Sequence, residues 1–402
     1  MRKLWVSSLA WTLLAASAAG QSHAISDTQV SWSNNSGAGT PVLTATVHYP
    51  SITAANNAPV LPTTTGYPVV VFLHGWGRLG SDYYRIGREL ASLGVVAVML
   101  NTAQNSYAVM EHDTRAMFKA LRNANIEDGG FFEGAMDMTR VGLLGHSMGT
   151  AVMALVLNEA PSATSTNPGY RCALGLAPVN PTIALAGIEV SVPVGLVSGQ
   201  GDVLAPPLGH AIPYYNSLTP STGLKFHYRM NGNCTHMNLV GLDQTDPVVF
   251  GRAKKIVKGF FSQFLCDSLS GLEGVIGIDG VSDPNLMGLD VETVVPQLWA
   301  ESNLRVGRSA RLSVAAEVGF AGLVVSNSMG LPTPTFIGTL LVNPIGAFSI
   351  GQTFIPGERL DVILSIPPTS DLVGMELAVQ GAGATINNIF LLGSAIRLKV
   401  GS

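Results

Sequence analysis

Charge is what this sequence has least of. Only 12% of its 402 residues are Asp, Glu, Lys or Arg, and the formal net charge is −4. It contains no run of lysines or arginines, which argues against nucleic acid or an anionic membrane as a partner. Cysteine is scarce too. Cys172, Cys234 and Cys266 are too few for a scaffold built on disulfides. In an exported chain they would allow one disulfide and one free thiol, and all three pairings stay open. Residues 4–14 are largely apolar, but a run this short spans a bilayer poorly.

Glycine and proline are plentiful. With 45 Gly, 23 Pro and 47% hydrophobic residues, the chain is expected to hold many turns and strands. Its length suits two or more domains. The N-terminus has the pattern of an export signal: Arg2 and Lys3, the apolar run, then small residues with cleavage after Gly20 or Ala24. Residues 1–24 are therefore expected to be a signal peptide and the product secreted, extracellular or periplasmic. The segment has no cysteine, so no lipid-anchored product is expected.

From about residue 28 to 266, strand-like and helix-like segments alternate. Strands are expected at 42–49, 68–73 (PVVVFL), 95–100, 141–144, 172–176, 192–197 and 224–230. Helices are expected at 82–93, 108–124, 150–159 and 248–265, with Met110, Met117 and Leu121 on one face of the second. This order implies an α/β unit with a mostly parallel central sheet over 25–270. Residues 271–302, Gly-rich and acidic, read as a connecting segment. Residues 318–357 carry no charge, and short strand-like runs recur at 336–342, 347–354, 360–366, 372–380 and 395–400. Residues 303–402 are expected to form a small all-β accessory domain.

Gly145-His146-Ser147-Met148-Gly149 fits G-x-S-x-G, directly after one expected strand and before one expected helix. A serine hydroxyl is a poor nucleophile until it is exposed and bonded to a base, and a sharp turn between strand and helix exposes it. The pentapeptide arises easily by chance in a Gly-rich chain, but rarely at this junction. His74-Gly75-Trp76-Gly77 ends the PVVVFL strand, where acyl transfer needs a backbone donor for the developing oxyanion. The amides of Trp76 and Met148 are the expected pair. The alternative for the first is an ordinary glycine turn. The acid and base should follow in the order Asp, His, each after a strand. Asp202 and His236 have those positions. His210 and His227 compete for the base role, but His227 lies inside a strand and His210 ends none.

Most of residues 40–266 resembles the bacterial cutinase and polyester-hydrolase branch of the α/β-hydrolases, a group related to chlorophyllase-like and platelet-activating-factor acetylhydrolase-like esterases. The resemblance rests on GHSMG, on DVLAPPLGHAIPYYNSL as the acid loop and on CTHMNL as the histidine loop. It implies a Ser147–His236–Asp202 triad, an oxyanion hole at Trp76 and Met148, and hydrolysis of a carboxylic ester without metal or organic cofactor. The substrate would be an ester, polymeric or lipid. His74, Gly75, His146 and Val179 are expected around the substrate pocket, with His74 and His146 also suited to supporting loops. Polyester hydrolases often carry Thr-Pro-Trp after the sixth strand. Here the segment is Ala177-Pro178-Val179. The indole clamp is absent, so short or medium acyl esters are expected over aromatic polyester. An acyltransferase, or a binding protein on a retired hydrolase scaffold, are the competing readings. The accessory domain is expected either to contact a polymer or surface, or simply to cover the hydrolase. Asp279, Asp283, Asp290 and Glu292 are expected to form a solvated acidic connector rather than a calcium site, since their spacing fits no calcium loop.

Overall fold

A computed structural model of the chain describes residues 23–402, apart from 36, 103–104, 159–168, 182–187, 191, 221–223, 244–245, 294–295, 317–318, 336–337, 346, 356–358 and 385–389. The expected export signal lies, but for its last two residues, outside the described residues.

The strands of the first part are β1 (Ala24–Ser33), β2 (Val42–Ser51), β3 (Tyr67–Leu73), β4 (Val96–Asn101), β5 (Met136–His146), β6 (Cys172–Leu176), β7 (Ile188–Val190), β8 (Val194–Gly199), β9 (Leu218–Pro220), β10 (Leu224–Met230) and β11 (Leu286–Thr293). β7 and β9 pair with each other. The rest form one sheet in the order β1-β2-β4-β3-β5-β6-β8-β10-β11. The run from β4 to β10 is parallel throughout, and β2 and β11 add to its two sides antiparallel.

A strand can be apolar at every position only where both of its faces are covered. β3 shows how. Val69, Val71 and Leu73 pack into a layer with α2 (Tyr107–Ile126) and α3 (Met148–Leu157). Val70 and Phe72 face the opposite layer, with α1 (Tyr84–Ala91) and α5 (Pro247–Leu265). Met110, Met117 and Leu121 of α2 are fully buried, as their spacing predicts. Local signals set the helix starts. Ser106 Oγ accepts the Val109 N–H ahead of α2. Asp246 accepts from Val248 and Val249 ahead of α5, with Pro247 in the first turn.

The segment 271–302 is more than a connector, which corrects the expectation from its composition. Within it β11 becomes the ninth strand of the central sheet. Its acids answer cations below them: Lys225 Nζ lies 3.0 Å from Glu292 and Arg229 3.1 Å from Asp290. Asp283 meets the buried Arg252 of α5 at 3.1 Å. Asp283, Asp290 and Glu292 thus have cation partners on β10 and α5, which a linear reading takes for solvation, while Asp279 is exposed as expected.

The rest is β-rich: β12 (Gln297–Ala300), β13 (Ser309–Ala315), β14 (Gly319–Ser326), β15 (Met329–Thr335), β16 (Gly338–Val342), β17 (Phe348–Ile355), β18 (Arg359–Ser365), β19 (Glu376–Ala384) and β20 (Phe390–Lys399). They form sheets β12-β13-β18 and β17-β14-β19-β20 and the hairpin β15-β16. Leu312, Val314, Leu323, Val379 and Leu398 centre a core of their own. Trp299 of β12, fully buried, belongs instead to the core beneath α5. Its indole N–H donates to the buried Glu273 at 2.9 Å, and Arg311 Nη2 of β13 reaches the same carboxylate at 2.6 Å.

Candidate active site

Ser147 sits between the end of β5 and the start of α3 with φ 53° and ψ −120°. A non-glycine residue rarely adopts this conformation, and it persists only where the surroundings enforce it. The neighbouring glycines show the enforcement. A Cβ on Gly149 would stand 2.1 Å from Leu73 O, and one on Gly145 2.8 Å from the Gly149 backbone. The close approach of α3 to β3 and β5 therefore requires both. Thr150 braces the turn. Its hydroxyl donates to Ser147 O at 2.7 Å and accepts the Val179 N–H at 2.9 Å, and its carbonyl accepts from Tyr214 Oη.

Asp202 and His236 lie after β8 and β10, adjacent in the sheet. Their loops touch closely: a Cβ on Gly199 would stand 2.1 Å from Cys234 O. His236 Nδ1 is 2.7 Å from Asp202 Oδ2, with both side chains buried. A carboxylate only accepts, so Nδ1 carries a proton, and in the tautomer this selects, Nε2 is the acceptor. Burial alone would raise the Asp202 carboxyl. The hydrogen bonds from His236 and from the amides of Ala205 and Leu204 outweigh it and hold the group below its ordinary value. The His236 loop is stiffened by a reciprocal pair: Thr235 N–H donates to Asn238 Oδ1 at 2.8 Å, and Asn238 N–H to Thr235 Oγ1 at 3.3 Å.

The loop after β3 lies against Ser147. A Cβ on Gly75 would come within 3.3 Å of Ser147 Cβ and 2.9 Å of His146 Nδ1. Trp76 is 60% exposed and Met148 is buried. Trp76 and Tyr107 stand with ring centroids 6.4 Å apart, and Val203, Leu204 and Leu208 are exposed on the Asp202 loop. The loops that carry Trp76 and Asp202 thus expose apolar surface.

His74 and His146 are completely buried, which corrects their expectation as pocket-lining side chains. Their rings face protein partners: His74 Nδ1 donates to Gly75 O at 2.9 Å, and His146 bridges Tyr83 and the His236 carbonyl. Burial, then the nearby His236, presses the His146 ring down to about 3. Val179 is half-buried. Of the competing histidines, His210 accepts the Asn180 N–H, and His227 is buried in β10 against Ser198 Oγ at 2.8 Å. The three cysteines are all free thiols, so the disulfide that export would allow is not formed. Burial raises all three, Cys234 to about 12 and Cys266 to about 11.

Tyr83, Thr150 and Asn238 escape a reading of the sequence. Thr235 and Asn238 have the spacing of a capping box, which is a usable signal. Tyr83 has none, because its side-chain partner, His146, is 63 residues away.

Comparison with known proteins places the chain in a family. The family model described as PET hydrolase-like matches residues 10–274. The bis(hydroxyethyl) terephthalate hydrolase of Streptomyces coelicolor is 27% identical over 193 residues, 48% of this chain and 55% of that enzyme. Cutinase est1 of Thermobifida alba is 25% identical over 172 residues, 42% of this chain and 53% of that protein. A cutinase of Thermobifida fusca is 27% identical over 172 residues, 42% of this chain and 52% of its own. The chain spans about half the length of the curated relatives it matches. With two thirds of its length matched by one family model, the chain belongs to the PET hydrolase-like family.

Proposed function

We propose that this chain is a secreted serine hydrolase of carboxylic esters, acting through an acyl-enzyme. The observation that supports it most is the 2.7 Å bond between His236 and Asp202 in a loop hydrogen-bonded to His146, the neighbour of a serine held at φ 53°. In this reading His236 Nε2 takes the Ser147 proton as Oγ attacks the ester carbonyl. The amides of Trp76 and Met148 stabilise the oxyanion. His236 then protonates the leaving alcohol, and water repeats the sequence to release the acid and regenerate the serine. Asp202 holds the ring's tautomer and stabilises the imidazolium. The relatives' names and the exposed Trp76, Val203, Leu204 and Leu208 support an apolar acyl ester, from a polymer or a lipid. The basic and apolar pattern of residues 2–14 supports export.

A fluorophosphonate probe tests the assignment. The adduct is expected on Ser147. Ser147→Ala should abolish labelling and reduce hydrolysis of a p-nitrophenyl ester by roughly 10^4 or more, because triad members act as a unit. An adduct mapped to another serine, or undiminished turnover in Ser147→Ala, sinks the reading.

A further inference from the structure

One hydrogen-bonded chain crosses the site and has no part in the triad. Gly75 N–H lies 3.1 Å from Tyr83 Oη, Tyr83 Oη 2.9 Å from His146 Nδ1, and His146 Nε2 3.0 Å from His236 O. Chemistry orders its protons. A carbonyl oxygen only accepts, so His146 Nε2 carries a proton toward His236 O. The ring is enclosed and neutral, so Nδ1 offers a lone pair. The Tyr83 hydroxyl must therefore donate to Nδ1, and its oxygen is free to accept the Gly75 N–H. All three donors point the same way, the arrangement in which neighbouring bonds strengthen one another.

The places joined matter more than the bonds. Gly75 is in the loop after β3, one residue before Trp76. Tyr83 closes the 3-10 turn Gly80–Tyr83. His146 is the last residue of β5, directly before Ser147, and His236 is on the loop after β10. The chain thus ties the loop on one side of Ser147 to the loop on the other. A second contact sets the angle of the first loop. His74 Nδ1 and the Arg78 N–H both donate to Gly75 O, at 2.9 and 3.2 Å. That carbonyl shares a trans peptide plane with the Trp76 N–H, so fixing one fixes the direction of the other.

Resting on the serine-esterase reading, we propose that Tyr83 and His146 are positioning residues, a neutral strap that holds the Trp76 amide and His236 at one spacing about Ser147. Both act through the Trp76 amide and His236, the His146 ring standing 4.8 Å from the His236 ring, centroid to centroid. Oxyanion stabilisation depends on donors already in place when charge develops, so slack in the strap is felt in the transition state more than in substrate binding.

The test uses the full chain and three variants: Tyr83→Phe, His146→Phe and His146→Gln. Phenylalanine keeps the Tyr83 ring against Phe72 while deleting the hydroxyl. Glutamine can place an N–H donor near the position of Nε2, whereas phenylalanine offers none. Each protein is reacted with a fluorophosphonate, reading both rate and endpoint, and assayed for kcat and KM on a soluble p-nitrophenyl ester. In Tyr83→Phe the endpoint is expected near that of the unmodified protein. Its labelling rate and kcat should fall together by about ten- to a hundredfold, with KM changed less than about twofold. His146→Gln should recover part of what His146→Phe loses. A merely structural role predicts a lower endpoint with unchanged rate per labelled site, and that result overturns the strap. If the unmodified protein is not labelled at Ser147, the esterase reading itself fails and the strap's role with it.

Discussion

At the scale of single residues, the buried histidines make a pH argument. His48, His146 and His227 are enclosed, and burial is the first cause in each case, lowering them to about 4, 3 and 3. The folded chain holds all three neutral, while the unfolded chain protonates them near the ordinary value of about 6.5. Between those values the unfolded state binds more protons, so stability rises with pH. The contribution is complete above about pH 6.5 and is lost as pH falls toward the folded values, at up to ~1.4 kcal/mol per unit for each ring. Asp202, held below its ordinary value, adds a loss in the same direction at lower pH, below about 3.9. His48 is the cleanest probe, because it lies on β2, which carries no candidate site residue, with Gly87 so close that a Cβ there would stand 2.2 Å from its ring. His48→Leu should flatten the dependence of the urea midpoint between pH 6.5 and 4.5 by about one proton's slope. An unchanged slope would show that this ring is not held neutral by the fold.

At the scale of elements, the turn around Ser147 shows what a sequence can reveal. Ser147, Asp202 and His236 were visible because each follows a strand whose apolar run or alternation announces it. Burial on both faces leaves residues 69–73 of β3 and 96–100 of β4 wholly apolar, with nothing to confuse the reading. β11 was invisible for the opposite reason. Its residues are mostly half-exposed, and its acids look solvated until Lys225 and Arg229 are seen beneath them. Tyr83 and Glu273 were invisible because no local pattern marks a side chain whose side-chain partners, His146 for one and Trp299 and Arg311 for the other, lie tens of residues away. The glycines of the nucleophile turn can be tested as an element. Gly149→Ala would drive a methyl to 2.1 Å from Leu73 O, so α3 must shift from β3. Overpacking of this kind costs about 1–3 kcal/mol. Because α3 begins at Met148, fluorophosphonate labelling should slow at the same time. Alanine at 149 with labelling and thermal midpoint both unchanged would show that the close approach is not needed.

At the scale of the molecule, the question is whether the C-terminal β-rich part is separable from the α/β part. A reading of the sequence places every catalytic group before residue 240 and ends the hydrolase near Leu265, so a chain cut near 302 should keep its activity. The contacts argue otherwise. β11 completes the central sheet, Trp299 fills the core beneath α5, and Glu273 is held from β12 by the Trp299 indole and from β13 by Arg311. A cut at 302 keeps the indole but removes Arg311, leaving a buried carboxylate without its cation. Breaking a buried pair by removing one partner costs on the order of 3–5 kcal/mol. The cut also strips Trp299 of its packing against Ala315 and leaves β12 without the pairing of β13. The shortened chain is therefore expected to melt at lower temperature or aggregate, losing soluble-ester and particle turnover alike. Arg311→Met in the full chain separates the two contributions, since it removes the cation and leaves β13 in place. It should lower the thermal midpoint by part of the truncation's effect and leave kcat per labelled site unchanged. A shortened chain that keeps its midpoint and soluble-ester activity while losing only particle binding would instead make the β-rich part a detachable surface-binding module, and the Glu273 contact incidental.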